Sequence, residues 1–357
     1  MPDKFVVAVL RDSAPEDLER IQAVDLDRIE VVPLWRSLRP DTERFFPETH
    51  IARFERPNSS MDALAPEELN RVLTEAQVAY SGAVHPSDIL SRLPNVRWVH
   101  FSMAGLSSIA HSQFWESNIP VTTSRGYTGT RSIAEMAIFG GMTIAKGLHI
   151  AVRQTDAGKH NGREIAPKMS LGKTMGVIGL GGIGSNVAKL ANGIGMRVLA
   201  SRWSIDKRMP GTDGIVEELF PKTQLKEMVA ECDFVAICTP ATPETVGMYD
   251  ASVFAAMKPG AIFINVARGE IVDEDALIAS LESGALSGAY LDVFQGSEEG
   301  QAPPARLMAH PNVIITPHIS ARADVGQQFS INFFCDNLRN ILDGKPIENV
   351  VDWQRGY

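Results

Sequence analysis

One glycine pattern constrains this chain more than any other feature. It is Gly179-x-Gly181-x-x-Gly184, in the run Gly172-Lys-Thr-Met-Gly-Val-Ile-Gly-Leu-Gly-Gly-Ile-Gly184. In a chain with 29 glycines the spacing alone is weak. Its setting makes it specific: an apolar, strand-like run at 175–178 precedes it, and a helix-like run at 183–191 follows. In such a strand–turn–helix unit the first glycine permits the tight turn. The second lets backbone approach a pyrophosphate, whose charge meets free amides at the helix N-terminus. The third allows close helix–strand packing. Gly179, Gly181, Gly182, Ile183 and Gly184 are therefore the expected dinucleotide-binding turn. The bland alternative is a glycine-rich turn with no ligand.

An acid about 20 residues further on would bind the ribose 2′-hydroxyl of NAD. Here the second strand ends Leu199-Ala200-Ser201-Arg202, so a hydroxyl and a cation stand where the acid is expected. That pair suits a 2′-phosphate, through charge-assisted hydrogen bonds. NADP(H) is the favoured cofactor, with Lys207 and Arg208 as further cations. NAD(H) stays open, because Asp206 is also near and Arg202 could be a solvated loop charge.

The rest of the chain fits an α/β protein. Apolar runs at 5–10, 29–34, 78–81, 96–101 and 121–123 read as strands of one series. Runs at 174–178, 197–200, 234–239, 261–266, 288–293 and 313–316 read as a second. Helix-prone segments alternate with them, which points to parallel sheets and two doubly wound lobes. Residues 66–75 and 325–342 are expected helices, and 132–152 one long helix from its helical repeat of apolar residues. Scattered prolines at 37–59 suggest an irregular loop. A length of 357 residues suits two domains at roughly 100–200 residues each. The formal charge of −9 argues against nonspecific nucleic-acid binding. No run of about 18 apolar residues occurs, so no membrane span is expected. The first ten residues read as a strand and not as a secretory signal. Cys232, Cys238 and Cys335 form no CxxC pair and no zinc spacing. A reducing, cytoplasmic setting and no metal are expected.

Polar residues recur at the carboxyl ends of the second series, where doubly wound sheets bind ligands. They are Thr239 and Pro240, then Arg268 preceded by Ala267, then Asp292, then His318. Singly, each has a structural alternative: a salt bridge, a loop cap, a satisfied histidine. Together they suit reduction of a carbonyl beside a carboxylate. Arg268 can bind the carboxylate and polarise the keto oxygen. His318 can donate the proton the new alkoxide needs, since an imidazole works in either direction near neutral pH. The other histidines, including His100 and His310, lack this setting and read as structural or solvated.

These segments resemble the D-isomer-specific 2-hydroxyacid dehydrogenases. The resemblance runs over most of the chain. It is carried by Leu171-Gly-Lys-Thr and the fingerprint, Thr239-Pro-Ala-Thr-Pro-Glu-Thr245, residues 265–277, Gly288-Ala-Tyr-Leu-Asp-Val-Phe294, Thr316-Pro-His-Ile319, and the C-terminal Asp343-Gly-Lys-Pro. It implies a Rossmann dinucleotide-binding domain (125–318) inserted into a flavodoxin-like, discontinuous substrate domain (1–124 and 319–357), with a cleft between them. It implies NAD(P)H-dependent reduction of small 2-keto acids to D-2-hydroxy acids, or the reverse, with glyoxylate and hydroxypyruvate the first substrates to try. By this similarity Arg268 binds substrate, His318 is the acid/base, and Asp292 meets the nicotinamide end. Met103, Ala104 and Gly105, with Ala83 and Val84, line the substrate carboxylate. A homodimer with 132–152 in its interface is also implied.

Three positions depart from the family pattern. The catalytic Glu expected five residues after Asp292 falls on Ser297, so Glu298 or Glu299 is left to supply it. Cys238 stands where a histidine is common and reads as a small buried residue. Met136 stands where the family often has histidine or an aromatic. Two rival functions remain on the same scaffold. One is a dinucleotide-sensing regulator or corepressor, disfavoured by the joint presence of Arg268 and His318. The other is a formate- or phosphite-type dehydrogenase. For formate a glutamine is expected near 297, and Gln295 and Gln301 fit that spacing poorly.

Overall fold

The computed structural model describes residues 4–52, 54–56, 62–106, 109, 112–115, 117–127, 129–202, 212–297, 300–324 and 327–353. The chain divides into two compact units, residues 1–128 with 325–357, and residues 129–324.

The first unit holds β1 (Phe5–Val9), β2 (Ile29–Pro33), β3 (Ala76–Ser81), β4 (Trp98–Phe101) and β5 (Val121–Thr123) in a parallel sheet of order β2-β1-β3-β4-β5. That is the flavodoxin-like order. β1 reads as an unbroken apolar run because both of its faces are covered. Phe334 and Leu338 of the helix Gln327–Leu342 pack on Val7, Val9, Tyr80 and Trp98. Leu38, Val72, Leu73 and Ile89 join a second cluster with Val6, Ala8, Ala79 and Val99.

The second unit holds β6 (Thr174–Ile178), β7 (Arg197–Arg202), β8 (Glu218–Pro221), β9 (Phe234–Ile237), β10 (Ala261–Asn265), β11 (Leu286–Leu291) and β12 (Val313–Ile315). They form a parallel sheet of order β12-β11-β10-β9-β6-β7-β8. The chain runs outward from β6 to β8, then returns to the other side at β9. The switch point between β6 and β9 is where a Rossmann sheet receives its dinucleotide. The helix Thr130–Ala145 packs closely on this sheet. A side chain at Gly140 would lie 2.3 Å from the Tyr290 ring, and one at Gly141 would lie 2.7 Å from Ile264.

Three expectations are corrected. Residues 132–152 are not one helix: Thr130–Ala145 ends and Leu148–Asp156 begins, with Gly147 between at φ +68°. A left-handed residue breaks the hydrogen-bond ladder, although the apolar repeat runs on across it. Residues 37–59 are not wholly irregular, since they include most of the helix Trp35–Thr42 and the turn-length helix Glu48–Ile51. Pro40 lies inside the first of these. Burial of Trp35, Leu38 and Thr42 along one face, and ion pairs from Arg39 to Glu43, Glu48 and Glu55, outweigh it. The edge strand β8 falls in a stretch read as having no strand. With four residues, one of them the exposed Glu218, it carries little apolar signal.

Candidate active site

Backbone register sets the level of the site in the second unit. Ile178 pairs with Ile237, Ile237 with Asn265, Asn265 with Leu291, and Leu291 with Ile315. These five residues form one row across β6, β9, β10, β11 and β12. The chain segments leaving that row carry Gly179, Thr239, Arg268, Asp292 and His318. Parallel strands in register thus bring residues up to 139 positions apart onto one edge of a single sheet.

At β6 the glycine turn is built as its spacing requires. Gly179 has φ +93°, and its N–H bonds to Ser201 O at 3.0 Å. A Cβ at Gly184 would lie 2.0 Å from Gly179 O, so only glycine lets the helix Gly182–Gly193 approach the turn this closely. A Cβ at Gly181 would meet nothing within 4 Å. The turn is therefore packed behind and open in front. The amides of Gly182, Ile183 and Gly184 in the first helical turn have no helical carbonyl to bond. Open space at Gly181 beside those amides fits a pyrophosphate, so the residues present suit a dinucleotide.

Ser201 and Arg202 are the last two residues of β7 and not loop residues after it. Register places Ser201 opposite Ile178, directly beside the glycine turn. Lys207, Arg208 and Asp206 lie outside the described residues. At β9, Thr239 contacts the glycine turn, since a Cβ at Gly179 would sit 3.0 Å from its Cα. The next turn is closed by Thr245, whose hydroxyl donates to Pro240 O at 2.7 Å and accepts from Thr242 N at 2.7 Å.

At β10, Asn265 is buried and holds the Arg268 loop. Its Oδ1 accepts from Ala267 N at 3.0 Å, and its Nδ2 donates to Arg268 O at 2.9 Å. Arg268 itself is half-buried, with Nη1 donating to Ala267 O at 2.7 Å. Gly269 presses on the next loop: a Cβ there would lie 2.1 Å from Phe294 C.

At β11, Asp292 is 0 % exposed. Its Oδ1 accepts from Thr316 Oγ1 at 2.5 Å and Ile319 N at 3.0 Å, and its Oδ2 from Ser320 N at 3.0 Å. Those donors flank His318. The His318 N–H also bonds to Asp292 O at 3.2 Å. His318 has φ +53°, a left-handed conformation uncommon for residues other than glycine.

Glu298 and Glu299 lie outside the described residues. The ends of their loop are fixed. Glu274 Oε1 accepts from Gln295 N at 2.7 Å, Gln295 Nε2 donates to Val272 O at 2.9 Å, and Gln301 N donates to Gly296 O at 3.0 Å. Burial raises the Glu274 carboxyl above its ordinary range. Ser297 is buried against this loop, its N–H on Phe294 O.

In the first unit, Ala83 and Val84 follow β3, and Met103, Ala104 and Gly105 follow β4, at the carboxyl ends of neighbouring strands. The Val84 side chain is sealed in a small cluster with Trp35 and Ile51. His85 and His100 of this unit are poor proton donors. Burial lowers His100 to about 3 and His85 to about 4, so both are neutral near pH 7. His100 is locked between the hydroxyls of Thr122 at 2.7 Å and Ser124 at 2.9 Å. Cys232, Cys238 and Cys335 are free thiols pushed up to about 12 by burial. That leaves almost no thiolate for nucleophilic work.

Sequence reading did not single out Asn265, Tyr290 and Thr316, whose side chains hydrogen-bond among the segments that carry Arg268, Asp292 and His318. All three stand in motifs it singled out. For Asn265 and Thr316 the signal is a hydrogen-bonding side chain at or next to the end of an apolar strand.

The family model for the NAD binding domain of D-isomer specific 2-hydroxyacid dehydrogenases matches residues 140–320. A hydroxypyruvate reductase of Thermotoga maritima is 32 % identical over 74 % of this chain and 84 % of its own length. An (S)-sulfolactate dehydrogenase of Chromohalobacter salexigens is 30 % identical over 84 % of this chain and 96 % of its own. By contrast, the match to a D-3-phosphoglycerate dehydrogenase of Synechocystis covers 66 % of this chain and only 42 % of that protein. Among solved structures, a D-isomer specific 2-hydroxyacid dehydrogenase from Xanthobacter autotrophicus Py2, in complex with NADPH and MES, superposes with a TM-score of 0.74 at 26 % identity. The match covers 99 % of each chain.

Proposed function

This chain belongs to the D-isomer specific 2-hydroxyacid dehydrogenase family, and on that premise we propose that it reduces small 2-keto acids to D-2-hydroxy acids with NADPH as the preferred reductant. A nicotinamide dinucleotide is the family's cofactor. The observation that carries the reading is the single register row that sets Arg268 and His318 at the same sheet edge as the glycine turn. When bound, the nicotinamide supplies the hydride. Arg268 takes the acid's carboxylate and polarises the keto oxygen. His318 gives its proton to that oxygen as negative charge develops there, and takes one back in the reverse direction. In the first unit the proposed substrate residues are Ala83, Val84, Met103, Ala104 and Gly105. Glu298 or Glu299 is the proposed carboxylate partner of His318, and Thr239, Pro240, Ala267 and Asp292 join the cofactor-binding set. Glyoxylate and hydroxypyruvate are the proposed substrates, supported by the hydroxypyruvate reductase among the relatives. Initial rates against glyoxylate, hydroxypyruvate, pyruvate and phenylpyruvate test the reading. Turnover of the smaller acids supports it, and no turnover of any of the four counts against it.

The preference for NADPH rests on Arg202 at the end of β7, with Ser201 beside it. One charge-assisted hydrogen bond contributes about 1.5–3 kcal/mol, or about tenfold to a hundredfold in affinity. Arg202→Ala is therefore expected to weaken NADPH by that factor while leaving NADH within about twofold. Fluorescence titration of both cofactors measures it, and equal effects on the two would remove the 2′-phosphate reading.

A homodimer is the proposed assembly. Phe139 (64 % exposed), on the helix Thr130–Ala145, and Leu148 and Val152 (59 %), on Leu148–Asp156, leave large apolar side chains on the surface. Covering such surface drives association. Phe139→Glu is expected to shift the protein to monomers in sedimentation, whereas an unchanged dimer would place the interface elsewhere. No helix among the described residues is long and apolar enough to cross a membrane. The three free cysteines support a reducing, cytoplasmic setting.

A further inference from the structure

Tyr290 puts a hydroxyl between Ala289 and Leu291 in β11, and its register partners are Ile264 and Ile314. Its ring lies against the helix backbone at Gly140, where a Cβ would sit 2.3 Å from the ring. From that seat its hydroxyl reaches Thr316 Oγ1 at 2.8 Å. Thr316 Oγ1 is also 2.5 Å from Asp292 Oδ1. A threonine hydroxyl has one proton, and a carboxylate only accepts. Thr316 therefore donates to Asp292, and Tyr290 donates to Thr316. Burial pushes the Tyr290 hydroxyl up to about 12, so it keeps the proton it donates. Asp292 then accepts from Ile319 N and Ser320 N, on the far side of His318. From the same helix as Gly140, Ser132 Oγ lies 2.8 Å from both Ser320 O and Arg322 O. The segment 316–322 is held on two sides, with His318 left-handed at its centre.

We propose that Tyr290, Thr316 and Asp292 form a hydroxyl–carboxylate chain that positions His318, and that Tyr290 and Thr316 are positioning residues for proton delivery to the substrate. This rests on His318 being the proton donor. Three donors occupy the two Asp292 oxygens, so most of that carboxylate is committed to the His318 segment and about one acceptor site is left for the cofactor. The hydroxyl of Tyr290 is specific in its effect: without it the ring still fills the space over Gly140, but Thr316 loses its donor.

The test compares Thr316→Val, Thr316→Ser and Tyr290→Phe with the unmodified chain. A misplacement of about 1 Å can cost about a hundredfold in rate. Thr316→Val should lower kcat about ten- to hundredfold, with cofactor Kd within about twofold. Thr316→Ser should restore kcat to within about threefold. Tyr290→Phe should lower kcat about three- to tenfold alone and add nothing in the Thr316→Val background. Hydrogen exchange of the Ile319 and Ser320 amides should speed up in Thr316→Val. A Thr316→Val kcat within twofold of the unmodified chain, or equal losses of kcat and cofactor affinity, would overturn the proposal. If the unmodified chain reduces no 2-keto acid, the functional reading fails. Hydrogen exchange then decides the clamp by itself: faster exchange supports it, and unchanged protection at 319 and 320 overturns it.

Discussion

Replacing His318 by alanine is expected to lower kcat for 2-keto acid reduction by about 10²–10⁴, the usual contribution of a positioned general acid. NADPH binding should survive within about twofold, because the glycine turn, the helix Gly182–Gly193 and Arg202 belong to other segments of the sheet edge. The KM for the acid should change much less than kcat, since the proton moves only as the alkoxide forms. His85 and His100 are poor substitute donors, being neutral near pH 7 and buried. The same variant should lose D-2-hydroxy acid oxidation in parallel, because one group serves both directions. Steady-state kinetics in both directions, with a cofactor titration, measure this. Equal loss of turnover and cofactor affinity would mean that the substitution damages the fold of the segment and would remove the assigned role.

The second large effect is expected at Arg268. Arg268→Ala should lower kcat about 10²–10³ through lost polarisation of the keto oxygen. It should also raise the KM for the acid about tenfold to a hundredfold through the lost bond to the carboxylate. Arg268→Lys should recover only part of either loss, since an ammonium keeps the charge but not the planar fork that fits a carboxylate. The melting temperature should hardly move. Asn265, which supports the loop, bonds main-chain atoms of 267 and 268 and stays in place. The split between Arg268 and His318 is diagnostic: the arginine variant changes both kinetic constants, the histidine variant chiefly kcat. A KM unchanged in Arg268→Ala would remove carboxylate binding from its role.

Much of this was legible in the chain itself, for identifiable reasons. A parallel strand buried on both faces has to be apolar throughout, so β6, β9 and β10 stand out as runs. The turn after β6 needs glycine at 179 for its φ and at 184 for its packing, so the fingerprint survives as letters. Residues just past strand ends are legible too, because the strand ends are. Arg268 and His318 were found that way. Other features depend on contacts distant in sequence. The break at Gly147 is a single left-handed residue inside an unbroken helical repeat. The helix over Pro40 forms because Trp35 and Leu38 find a core. The partners of Asp292 are fixed by how β11 and β12 align, and nothing in the letters around 292 announces three donors from 316–320. Tyr290 was hidden for the same reason. Inside a largely buried strand, a hydroxyl is meaningful only once its partner is known.

The most direct measurement is reduction of hydroxypyruvate by the purified protein, followed by loss of NADPH absorbance, with chiral resolution of the glycerate formed. Stoichiometric NADPH oxidation, faster than with NADH, is expected, with D-glycerate as the product. Binding of both cofactors with no oxidation, or formation of L-glycerate, would contradict this expectation.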